Sequence, residues 1–104
     1  MFGRGRFGDV VKRQLELFAV DQAPLLEEAK EADAAWTSAS REESEELFGD
    51  YQLVVDAIGE RLHEIRETYA GTLDERPADE YRETFNRAAV KRFRRFGSFL
   101  EAGE

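Results

Sequence analysis

The sequence predicts an all-α fold: a long antiparallel helical hairpin closed by a third helix into a three-helix bundle. Three observations carry that expectation. Apolar residues recur at alternating steps of four and three along most of the chain, the period of one helix face. Only two residues are proline and 37% are charged, which leaves little of the turn chemistry that an all-β domain requires. Hydrophobic residues make up 41%, with eight Phe, so the chain has the apolar content of a packed core. At 104 residues it is one domain. A chain of that size buries roughly 65% of the surface its unfolded form exposes.

The first element is marked by Val11, Leu15, Phe18, Gln22, Leu25, Ala29, Ala32 and Trp36, all apolar except Gln22. Pro24 lies within this pattern, where it removes a backbone donor and crowds the carbonyl of Val20. One reading is a single helix from about Gly8 to Ser38, kinked near Val20. The other is a helix that stops near Val20 and restarts with Asp21 as N-cap and Pro24 in its first turn. The apolar phase runs unbroken across Pro24, which favours the kinked helix. Thr37–Ser40 form a short break. Ser40 with Glu43 three residues on is a capping box, and Glu42, Glu43, Glu45 and Glu46 place acid at the positive end of the helix dipole.

The second helix follows through Leu47, Tyr51, Val54, Ile58, Leu62, Ile65 and Tyr69, and Gly71 is its natural terminator. Residues 73–78 read as the connecting loop, with Pro77 at the first position of the third helix. Tyr81, Phe85, Ala89, Phe93, Phe96 and Leu100 mark that helix. The first two helices have nearly equal length, roughly 45 Å each at 1.5 Å per residue, so they pair as a hairpin. The domain organisation is then a flexible basic arm over residues 1–8, one helical domain over 9–100 and a tail over 101–104. Phe7, Leu17, Phe48, Val55 and Val90 fall at or beyond the edges of the apolar stripes. That surplus predicts a homo-oligomer.

Composition also excludes. Without cysteine there are no disulfides, thiolate metal sites or cysteine nucleophiles, and the single histidine, His63, excludes multi-histidine sites within one chain. No stretch approaches the ~20 apolar residues of a membrane span. With no signal-peptide core after the basic N-terminus, a cytoplasmic address is expected. The formal net charge is −8, unevenly spread. Residues 1–13 carry +3, residues 14–85 carry −14 and residues 86–100 carry +5. The acidic middle repels nucleic acid and anionic membrane, whereas the basic ends can meet either one locally or pair with the acidic middle.

Two segments could carry chemistry. Glu60-Arg61-Leu62-His63 sets a carboxylate and an imidazole one turn apart on a helix, the E-x-x-H spacing with which ferritin-like di-iron proteins hold metals between helices. In this the chain resembles the small encapsulated ferritin-like hairpins over about half its length. The resemblance implies iron or another divalent metal bound by Glu60 and His63, with Glu28 or Glu31 from the facing helix, completed across a dimer. Yet at 100° per residue Glu60 and His63 point roughly 170° away from the centre of their helix's apolar face, so a second subunit would have to cover them.

The other segment runs from Asn86 to Leu100, with Phe93, Phe96, Phe99 and Leu100 on one side and Arg87, Lys91, Arg94 and Arg95 on the other. This basic amphipathic helix suits an anionic partner, nucleic acid or membrane surface, or else packs on the hairpin with its arginines paired to glutamates. The arm Phe2–Gly8 is similar to an RGG fragment. Trp36-Thr37-Ser38 at the hairpin turn is similar to the tryptophan turn of the small secreted W-x-G hairpins, although position 38 here is serine. P-loop, G-x-S-x-G, G-x-G-x-x-G and H-E-x-x-H patterns do not occur. The residues therefore favour a non-catalytic helical-bundle module without a cofactor, acting by self-association or by binding another protein.

Overall fold

The computed structural model describes residues 5–94. Residues 1–4, the expected anion-binding Arg95, the apolar Phe96, Phe99 and Leu100, and the tail lie outside the described residues. Among the described residues all regular structure is helical: α1 (Gly8–Asp21), α2 (Ala23–Thr37), α3 (Arg41–Ala70) and α4 (Glu75–Arg92).

Four helices stand where three are expected, because the first rod is two helices. Gln22 is at once the last cap of α1 and the first cap of α2, with φ −108° and ψ 24°. Pro24 occupies the first turn of α2, where its missing N–H leaves no bond unmade. The cap is Gln22 rather than Asp21, and no side chain caps this start. Only one residue leaves the helical region. The Gln22 N–H still reaches the Phe18 carbonyl (2.8 Å) and the Leu26 N–H reaches the Gln22 carbonyl (3.0 Å), so the apolar phase carries across the break.

The start of α3 is as the capping box predicts: the Ser40 hydroxyl accepts from the Glu43 N–H at 3.3 Å and its hydrogen faces the Glu43 carboxylate, also 3.3 Å away. Gly71 caps the other end, in right-handed helical geometry (φ −64°) instead of the left-handed one a terminal glycine often adopts. Helix α4 begins two residues before Pro77, after Asp74, so Pro77 is the third helical residue and still lies among the free N–H positions of the first turn. It ends at Arg92, short of the expected Leu100.

The longest interface joins α2 and α3 as an antiparallel hairpin. At its turn Trp36 stacks on Tyr51 (ring centroids 5.8 Å, 12° between planes) and leans on Phe48 (4.9 Å). At the other end of the molecule α4 runs antiparallel to α3, and α1 lies parallel to α4 with Phe7 against Tyr81 and Phe18 against Phe93, both at 5.6 Å edge to face. One continuous core threads both ends: Val11, Leu15 and Phe18 from α1, Ala29 from α2, Tyr51, Val55, Ile58 and Leu62 from α3, and Tyr81, Phe85 and Ala89 from α4. The molecule is 50 Å long and about 22 Å across, with extents of 23 and 21 Å.

Of the surplus apolar residues, Phe7 and Val55 join the core and Phe48 half-buries against Trp36. The arm expected over residues 1–8 is anchored at its inner end, since Phe7 is buried and the Arg6 guanidinium donates to Glu80 at 3.0 Å. Leu17 stays 54% exposed, and Val20 and Leu53, both counted neither as core nor as surplus, are 73% and 69% exposed. No described helix is long and apolar enough to cross a membrane.

Candidate groove between α3 and α4

On the side of the α3–α4 pair away from α1 runs an open groove of about 830 Å³. It exists because α3 turns Val55, Ile58 and Leu62 toward the core and α4 turns Tyr81, Phe85 and Ala89 the same way, which leaves the next stripe round each helix facing outward. On α3 that stripe is Asp56, Gly59, Glu60, His63 and Glu67; on α4 it is Asn86 and Val90. The edges of Val55, Phe85 and Ala89 form the floor.

A polar network closes one end. The Arg66 side chain, 11% exposed, donates from Nη1 to Asn86 Oδ1 at 2.7 Å, from Nη2 to His63 Nδ1 at 2.9 Å and from Nε to Glu67 Oε2 at 2.8 Å. Arginine has no acceptor, so His63 Nδ1 must offer its lone pair, which places the imidazole proton on Nε2. Arg82 grips the same Glu67 with a forked pair of bonds at 3.0 Å and also donates to Asp79 at 3.0 Å. These hydrogen bonds, those from Arg82 foremost, hold the Glu67 carboxyl down at about 2 against an ordinary 4.5, while burial opposes the drop. Glu67 in turn raises Arg82. Next to this network, burial pushes the Tyr81 phenol up to about 12 while its hydroxyl donates to Gln14 at 2.7 Å.

The two lips of the groove differ in charge. Asp56, Glu60 and Glu64 follow one another up α3, all exposed and none in an ion pair among the described residues. On α4 the exposed cations on this side are Arg87 and Lys91, with Arg76 and Arg92 exposed elsewhere on the helix, and Arg94 follows two residues past its end. Arg87 has a loose partner in Glu83 at 3.6 Å, both ends about three-quarters exposed; Lys91 and Arg94 have none among the described residues.

The residues expected to carry chemistry are thus distributed as follows. Glu60 and His63 line the groove, whereas Glu28 and Glu31 stand exposed on α2. Among the described residues no three histidine, aspartate or glutamate side chains gather closely enough to hold an ion. For His63 to ligate through Nε2, its proton must leave that nitrogen. Arg87 and Lys91 stand on α4 beyond Val90, outside the residues that line the groove, and Arg94 follows past the end of α4.

Sequence reasoning missed Arg66, Glu67, Arg82 and Asn86, which build the network. The available signal was the run of complementary polar residues at helical spacing on both sides of the 71–74 turn. Compared with known protein families, curated proteins and solved structures, the chain matches none.

Proposed function

We propose that this chain is a small helical interaction module that works by associating with itself through its helix faces. The observation that supports it is the open α3–α4 groove. One side of this helix pair is covered by α1 and forms the core, while the other keeps a half-buried Val90 and the edges of Val55, Phe85 and Ala89 at its floor. An apolar floor with charged lips is the anatomy of a surface made to receive another helix layer. The polar side chains Arg66, Glu67 and Asn86 at the groove are engaged with one another, which supports a role in binding.

Sedimentation velocity on the purified full chain, from micromolar to hundreds of micromolar, tests the reading. Reversible association with a rising sedimentation coefficient is expected. A monomer across the whole range overturns it.

A further inference from the structure

Resting on that reading, we infer that the α3–α4 face pairs with the same face of a second copy about a two-fold axis parallel to the helices, so that the acidic lip of each copy meets the basic lip of the other.

The register of the helix pair carries the inference. Tyr69 packs on Tyr81 (4.6 Å), Glu67 binds Arg82 and Arg66 binds Asn86, so each turn toward the N-terminus of α3 is matched by one turn toward the C-terminus of α4. Continuing that register along α4, which ends at Arg92, sets Glu64 level with Arg87 and Glu60 level with Lys91. Two exposed acids on α3 therefore match two exposed cations on α4 at the same heights. They sit on outer lips rather than facing each other: at 100° per residue, Arg87 lies about 60° beyond the groove-lining Val90 and Lys91 about 100°.

Symmetry then selects the partner's orientation. A two-fold axis along the helices brings α3 of one copy over α4 of the other at unchanged height, which joins both levels twice. It also makes every neighbouring helix antiparallel, so the helix dipoles oppose favourably. A two-fold axis across the helices would lay α3 on α3, acid on acid, which charge forbids. Between the lips, Gly59 is level with Val90, so the narrowest residue of the groove meets its most prominent apolar side chain. The closed form is a four-helix layer in which Val90 of one copy enters beside Gly59 of the other.

The test exchanges the lips. One variant carries Glu60→Lys and Glu64→Lys, the other Arg87→Glu and Lys91→Glu. Alone, each sets like charge against like charge and is expected to weaken the dimer at least ~100-fold. An equimolar mixture restores opposite charge on both seams, so a heterodimer of near wild-type affinity is expected. The control variant Arg61→Glu with Arg76→Glu, exposed residues off this face, has the same net charge as the second variant and is expected to stay dimeric. Far-UV circular dichroism verifies the fold of each. If a double variant loses helix, Glu64→Lys and Arg87→Glu singly replace it.

A wild-type chain that stays monomeric overturns the module reading and this one together. A wild-type dimer whose exchanged variants still dimerise alone leaves self-association standing and overturns this interface. Variants that become monomeric but do not recombine when mixed overturn the seam as drawn.

Discussion

At the end built from α1, α4 and the C-terminal half of α3, each helix touches two others, and Tyr81 and Phe85 are sealed. At the opposite end α3 has only α2 beside it. There the aromatic cluster of Trp36, Phe48 and Tyr51 is half open, with only Tyr51 buried, and Leu53 stands in solvent. Between two helices Trp36 and Phe48 keep wet edges; among three, Tyr81 and Phe85 do not. The Arg66–Glu67–Arg82 network braces the three-helix end, and the Ser40 cap and ring stacking support the hairpin end. The difference teaches that one continuous apolar stripe can serve two packing regimes.

Substitutions can break or sharpen this contrast. The largest effect is expected from Phe85→Ala, which opens a cavity in the sealed end and should cost ~3–5 kcal/mol by urea denaturation. Trp36→Ala at the two-helix end should cost less, about 2 kcal/mol, because part of the ring already faces water. A loss as large as that of Phe85→Ala would erase the distinction. Ser40→Ala removes the α3 cap and should lower stability by ~1 kcal/mol. With it, amide exchange should quicken at the α2–α3 turn before it changes in α4.

Glu67 provides a pH-dependent test of the three-helix end. Its carboxyl is lowered to about 2 in the folded chain, so its ionised form stabilises the fold. That contribution is complete above the ordinary carboxylate value of 4.5 and is lost as pH falls from there toward 2. Glu67→Gln should flatten the fall in melting temperature over that interval and leave the curve above it parallel to wild type. A wild-type slope retained in the variant would assign the acid sensitivity to other groups. The smallest effect is expected at Val20→Ser, on the outer face of α1, where a change within about 0.5 kcal/mol is expected from its exposure.

What was legible before the structure was whatever is decided within a turn or two of chain. The capping box at Ser40 is such a feature, as are the apolar stripes of α3 and α4, since both depend on neighbours three and four residues away. The break at Gln22 was not legible from periodicity: one residue leaves the helical region only slightly, so the spacing of Phe18, Gln22 and Leu25 is the same for a kink and for a break. The groove was half legible. The spacing of Glu60 and His63 and the charges of Arg87, Lys91 and Arg94 are local features of the chain. That they belong to one surface depends on the antiparallel register across the 71–74 turn, which no local pattern contains.

By itself the sequence determined the helical class, the strong start at Ser40, the stop at Gly71 and the division of charge between an acidic middle and a basic C-terminal segment. These follow from backbone hydrogen bonding and side-chain spacing within single segments. Only the tertiary structure decided that α1 lies on α4, that Phe7 closes over Tyr81, and that Arg66 reaches His63 and Asn86 together. The physical reason is that such contacts join residues as far as 75 positions apart, as Phe18 and Phe93 are, and are fixed by which faces exclude water together rather than by what either segment prefers alone.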